Sequence, residues 1–194
     1  MTAIGTPLRA DALANRQRLI DAAQDVFRER GIDAEMKTIA ERAGVGVGTI
    51  YRNFPTKDDL ITAIAGELIN AMSNVCDEVS TIDDPVEAMR AFVRGGLRTI
   101  NHYGDVVMAT KQRGLPPACH ELFTQFNMRG RIIGLIQHGV EMGRFRADID
   151  VAVAATLVET SLFPPSYQFL RQTHTHEQIV DAVTDLVLHG MLED

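Results

Sequence analysis

The sequence predicts an all-α protein, and three observations carry that reading. Apolar residues recur at steps of three and four along nearly the whole chain, the spacing of one face of a helix. No stretch alternates apolar and polar residues as a half-buried strand does. The 15 glycines and 7 prolines punctuate the pattern at breaks such as Gly114-Leu115-Pro116-Pro117 and Pro164-Pro165, which leaves about nine helices.

The first helix is expected over about 11–30, with Leu13, Leu19, Ile20, Ala23, Val26 and Phe27 as its stripe and Gly31 as its C-cap. Two short apolar clusters follow, Met36–Ile39–Ala40–Ala43 and Val47–Ile50–Phe54, separated by Gly44-Val45-Gly46. Each is about two turns long, too short to stand alone, so both must pack on the first helix. Pro55 ends the third element. Thr56, with Asp58 and Asp59 behind it, reads as an N-cap and an acidic first turn, so a long helix starts near Lys57. Its stripe of Leu60, Ile64, Leu68, Met72, Val75, Cys76 and Val79 continues to about residue 80. Further helices are expected over about 85–102, 105–113, 119–143, 149–163 and 176–192.

The composition of the 194 residues, 45% hydrophobic and 23% charged, is that of an ordinary globular protein and excludes disordered and low-complexity classes. Cys76 and Cys119 lie far apart and match no zinc or redox spacing, which fits a reducing compartment. The N-terminal stretch lacks an apolar h-region, and no run approaches the ~18 apolar residues of a membrane span. The expectation is a cytoplasmic protein with no membrane partner. The net charge is −7, but residues 1–60 hold 9 basic and 9 acidic residues, so the whole deficit lies beyond residue 60. That asymmetry suggests two parts with different partners.

Residues 36–60, MKTIAERAGVGVGTIYRNFPTKDDL, set two short helices around a glycine-containing turn, the layout of a helix-turn-helix. In the second of them Val47, Ile50 and Phe54 are spaced to face the core. Gly48, Thr49, Tyr51, Arg52 and Asn53 are left outward. Gly46 and Gly48 let a helix N-terminus approach a phosphate closely. Tyr51 and Lys57 have the reach for backbone oxygens, and Thr49, Arg52 and Asn53 for base edges. Periodicity alone leaves both DNA binding and plain solvated charge open.

Ile39-Ala40, Ala43-Gly44-Val45, Gly48-Thr49-Ile50-Tyr51, Phe54, Lys57 and Leu60 stand in the order and spacing of the TetR family of bacterial one-component regulators, which this segment resembles. With the first helix and Gly31, the strong match covers about residues 11–62. Gly143-Arg144-Phe145-Arg146-Ala147-Asp148-Ile149-Asp150 also looks like the segment that often precedes the family's dimerisation helices. Two positions stand out: Gly46 is found where a capping Ser is common, and Lys37 lies where the family varies. The resemblance implies a helix-turn-helix DNA-binding domain over residues 1–56 and a ligand-binding, dimerising helical domain over 57–194. The DNA-binding residues it points to are Lys37, Thr38, Gly46, Val47, Gly48, Thr49, Tyr51, Arg52, Asn53 and Lys57. The implied function is a transcriptional repressor released from a palindromic operator by a small molecule. A helical ligand-binding or enzymatic bundle with a vestigial helix-turn-helix is the alternative, and salt-dependent, sequence-specific DNA binding separates the two.

Residue chemistry nominates a ligand site in the middle helices: Met72, Met89, Phe92, Val93, Met108, Phe123, Phe126 and Phe163, with His102, Tyr103, Gln125, Glu159 and Thr160 as polar contacts. The same residues also serve as plain core. Pro164-Pro165 is expected to break its helix and place Phe163 and Tyr167 at the mouth of the site. The apolar residues of 176–192 fill about half of that helix's circumference, enough for two buried faces, one of them against a second copy. Ala155, Ile179, Val183, Leu186, Val187 and Gly190 are the expected dimer contacts. His138 with Glu141 lacks the repeated Glu-x-x-His motif of a bundle metal site, and neither a Gly-x-Ser-x-Gly elbow nor a phosphate-binding glycine loop occurs. No metal, cofactor or catalytic residue is expected.

Overall fold

The computed structural model describes residues 7–192, without the side chains of 7–10, 105 and 107–113. Among the described residues ten helices follow one another: α1 (Pro7–Arg30), α2 (Met36–Arg42), α3 (Val47–Asn53), α4 (Lys57–Val79), α5 (Pro85–Arg113), α6 (Pro117–Phe126), α7 (Met128–Glu141), α8 (Val151–Ser161), α9 (Pro164–Leu170) and α10 (His176–His189). Extended pairing among the described residues is limited to one antiparallel bridge between Phe145 and Leu192. None of these helices is long and apolar enough to cross a membrane.

Three boundaries differ from the expected ones, each for a local reason. Residues 85–102 and 105–113 form one helix, since neither a proline nor a positive-φ glycine interrupts the backbone between them. The expected helix 119–143 is two. Asn127 takes φ +48°, ends α6 and caps α7 by accepting from the Gly130 N–H at 3.2 Å. Asparagine enters this left-handed region more readily than other side-chain-bearing residues. Pro164 and Pro165 do more than end a helix: they open α9, because a proline in the first turn forfeits no helical hydrogen bond.

Two apolar cores share one helix. Leu19, Phe27, Ile39, Ile50 and Phe54 of α1 to α3 close over Leu60, Ile61, Ile64 and Ala65 of α4. From Leu68 onward the same helix packs into a larger core with α5, α7, α8 and α10. Tyr103 of α5 and Phe123 of α6 pack against both. The shared helix is fixed at its start by a capping box: Thr56 Oγ1 accepts from the Asp59 N–H at 3.1 Å, and Asp59 accepts from the Thr56 N–H at 2.9 Å.

The chain after α7 turns back under it. Phe145, fully buried, lies against Gly139, and the Arg146 N–H donates to the Met191 carbonyl at 2.9 Å, which ties the C-terminal end to α7. A Cβ at Gly139 would fall on the Phe145 ring, 2.8 Å from Cγ, whereas one at Gly134 on the same helix meets open space. Gly134→Ala should therefore stabilise the fold by up to about 1 kcal/mol, through the helix propensity gained and the unfolded-state entropy removed. Gly139→Ala should destabilise it by about 1–3 kcal/mol through overpacking. Urea denaturation followed by circular dichroism checks both signs.

Candidate DNA interface and ligand cavity

The turn between α2 and α3 is a Schellman motif: the Gly44 N–H donates to Glu41 O at 3.2 Å and the Val45 N–H to Ala40 O at 3.0 Å, with Gly44 at φ +68°. Arg42 reaches back to α1 with two parallel bonds to Glu29, at 3.0 and 2.6 Å. Those bonds hold the Glu29 carboxyl below its ordinary pKa. Arg16 of α1 lies over the Phe54 ring, 4.8 Å from its centre. With α2 and its own C-terminus braced in this way, α3 buries Ile50 and turns most of its other residues outward.

Val47, expected to face the core, is 39% exposed, because it sits in the first turn beyond the reach of α1. Gly46 caps α3 without a side-chain bond, and Gly46 and Gly48 are both exposed. Tyr51 is 49% exposed. Arg52 is exposed and lies along its own helix, donating to Gly48 O at 3.2 Å and to Thr49 Oγ1 at 3.4 Å. Asn53 donates to Thr49 O at 2.8 Å. Thr49, Asn53 and Thr38 are half-buried, while Lys37 is exposed with Glu41 at 3.8 Å. Lys57 is drawn inward, its Nζ donating to the Ile32 carbonyl at 3.1 Å in the α1–α2 connection. The sequence marks Lys57 for phosphate alone; its second role, closing that connection, depends on a residue 25 positions away.

Between α4, α5, α6, α7 and α8 lies a cavity of about 470 Å³. Of the expected ligand residues, Met72, Phe123, Phe126, Glu159 and Phe163 line it. Met89, Phe92 and Val93 do not: they are fully buried in the larger core, on a face of α5 packed solid by its neighbours. His102 faces a different cleft and Tyr103 fills the junction between the cores. Thr160 and Gln125 are exposed and bond within their own helices, to the Thr156 carbonyl and to Glu121. Met108 lies outside the described side chains. Tyr167, expected at the mouth, is instead buried, since the extra helix α9 turns it inward onto Asn101 and His176. Leu68, Leu115, His120, Met128 and Arg129 also line the cavity and were not expected. The signal that reveals them is the corner at Asn127, which swings the start of α7 against α8. There Arg129 donates to Thr156 Oγ1 at 2.6 Å.

Residues 19–64, which carry the braced helix pair, match the family model described as bacterial regulatory proteins, tetR family. Over this segment the chain carries the signature of that family. The transcriptional repressor KstR2 of Mycobacterium tuberculosis is 24% identical over 167 residues, covering 82% of this chain and 78% of the relative. Its ketosteroid-regulator structure superposes with a TM-score of 0.76 at 21% identity, over 92% of this chain and 95% of that one. KstR2 of Rhodococcus jostii is 27% identical, covering 81% and 75%. FadR of Bacillus subtilis, solved in complex with stearoyl-CoA, shares the fold with a TM-score of 0.71 at 18% identity, over 90% and 98%.

The last helices of the chain leave an apolar groove of about 490 Å³ between α8 and α10. Val153 and Leu157 on one side and Leu186 on the other are 55%, 65% and 76% exposed, with Val183, Val187 and Gly190 between them. Ala155 and Ile179, expected in the same surface, point the other way into the protomer's own core. Both thiols are buried, and burial pushes the Cys76 and Cys119 pKa values up. No three His, Cys, Asp or Glu side chains converge among the described residues.

The position of α3 relative to the cavity depends on α4 starting where it does. Removing its cap by Thr56→Ala should cost about 1 kcal/mol in urea denaturation, with the loss of amide-exchange protection concentrated in Asp59 to Ile61.

Proposed function

We propose that two copies of this chain form a repressor that grips a palindromic operator and releases it when a small molecule enters the cavity. Phe123 carries the reading: it lines the cavity and also packs against the core that holds α3. A ligand that displaces Phe123 acts on the head through the same contact, and α4, common to both cores, moves with it. The effector shifts the population between two head arrangements that differ in affinity for DNA.

In this reading residues 1–56 form the DNA-reading unit, and residues 57–194 bind the effector and the second copy. The α8–α10 groove is covered by its own counterpart, and the resulting two-fold axis requires a two-fold symmetric operator. Helix α3 enters the major groove. Thr49, Arg52 and Asn53 face base edges, with Arg52 exchanging its bond to Gly48 for a guanine. Tyr51, Lys57, Lys37, Thr38 and the N–H groups at Gly46, Val47 and Gly48 take phosphates. The effector has an apolar body and a polar end, matched by Leu68, Met72 and Phe126 on one side and His120, Arg129 and Glu159 on the other. FadR, which shares the fold, holds stearoyl-CoA, a molecule of that kind. The protein works in the cytoplasm, and no catalytic role is proposed.

Operator selection from random duplexes, followed by titration across salt concentrations, tests the reading. Arg52→Ala should lose roughly 1–3 kcal/mol of discrimination between operator and random DNA. Lys37→Ala should weaken both alike and flatten the salt slope by about one per subunit. A wild-type protein that binds operator and random duplexes equally well would remove the proposal.

Leu186→Arg places a charge in the proposed subunit seam without touching either core. It should give monomers by light scattering and abolish operator binding, while the helical circular dichroism of a single protomer is kept.

A further inference from the structure

Beside the apolar cavity lies a smaller void, bounded by Ile61, Ile64 and Ala65 of α4 and by Tyr103 and Val106 of α5, with room for about 10 Å³. Leu115 and Phe123 also line it, and both line the 470 Å³ cavity as well. Two side chains therefore stand between the spaces. Beyond them the walls belong to the core that holds α3, in which Ile61, Ile64, Ala65 and Val106 are buried.

Room of that size takes one water at most, and these walls offer it a single hydroxyl where it needs at least two polar partners, so the void stays dry. Atoms around a dry void lack dispersion contacts on one side. Methylene groups that enter it supply those contacts and leave water in the same step. A space this small, set between two helix faces, accepts the end of an unbranched chain and refuses a ring. Its divider is the least fixed part of the wall: Phe123 is half-buried on the ten-residue α6, and Leu115 is 36% exposed in the connection before it.

We infer that the effector carries an unbranched aliphatic chain, and that Phe123 with Leu115 measures its length. A chain that stops short of them is held by the cavity alone. A longer one turns Phe123 aside, enters the void and meets Ile61, Ile64 and Ala65, the residues through which α4 completes the core of the head. Short and long chains thus share one site, and only the long ones press on the helix that positions α3. The inference deepens the proposed function and rests on its cavity, but the length limit is read by binding alone, without DNA.

The test titrates the full chain by isothermal calorimetry with sodium n-alkanoates from hexanoate to octadecanoate, each below its micelle concentration. Affinity should rise about fourfold per added methylene, the gain from burying one, and then flatten at the length that must move Phe123. In Phe123→Ala the rise should continue to longer chains. Leu115→Ala, at the exposed side of the same divide, should extend it as well and keeps the test decisive if Phe123→Ala does not fold. Adding Ala65→Val fills the void from its far wall and should restore the shorter limit. Phe169→Ala, the same change at a position 72% exposed on α9, should leave the limit where it is. One limit common to wild type, Phe123→Ala and Leu115→Ala, or no saturable binding at any length, would overturn the inference. An ω-cyclohexyl alkanoate that binds as tightly as the n-alkanoate of equal carbon number would overturn the unbranched chain. With operator DNA present, release that does not follow chain length would overturn the action on the head. A chain that shows the length limit but ignores operator DNA would fail as a repressor and still confirm the divide.

Discussion

The architecture depends on one helix serving two cores. Its first turns, with Leu60, Ile61, Ile64 and Ala65, complete a head that three helices of limited length do not close by themselves. Its later turns, from Leu68 to Val79, form a wall of the sensor. Helices α2 and α3 have seven residues each, well below the length at which an isolated helix persists in water. Their order is borrowed from α1 and α4. The Arg42–Glu29 pair adds direction to that packing more than energy, since it is close to solvent.

The same dependence explains why the cavity lies where it does. On the α5 side the sensor core is solid: Met89, Phe92, Val93 and Leu97 are fully buried, and the adjoining glycines Gly95 and Gly96 admit Val75 and Leu162 at distances a Cβ would forbid. Near α6 the layering changes. A ten-residue helix ends at a left-handed asparagine, and the next helix leaves at a new angle, so the side chains around the corner cannot interdigitate as parallel helices do. Space is left over at that point, bordered by methionine and phenylalanine, whose shapes adapt to varied contents.

The head was almost fully legible in the sequence because its signals are local: a glycine with positive φ, a capping box, and three- and four-residue steps. The two apolar faces of α10 were legible for the same reason. Legibility fell where a side chain's role depends on a distant partner. Lys57 reads as a free cation until the Ile32 carbonyl is placed beside it, and Ala155 and Ile179 read as interface until the direction of their helices is known. Asn127 carries no periodic signal at all, since the apolar spacing runs through the corner it makes. Most of the cavity wall was therefore missed, although residue chemistry had picked out Met72, Phe123, Phe126, Glu159 and Phe163.

Helix α7 gives the corner at Asn127 a reach beyond the cavity. It is a rod of 14 residues, about 21 Å long, that begins at the cavity wall and carries Gly139 in its last turn, where Phe145 is wedged. From Phe145 the main chain passes to the Met191 carbonyl, at the foot of α10. In the proposed dimer, a small tilt at the Asn127 end is therefore delivered by leverage to the seam between subunits, while α4 delivers the companion motion to the head. In the proposed repressor, one occupant of the cavity thus acts on two outputs at once, the grip of each subunit on DNA and the spacing of the pair.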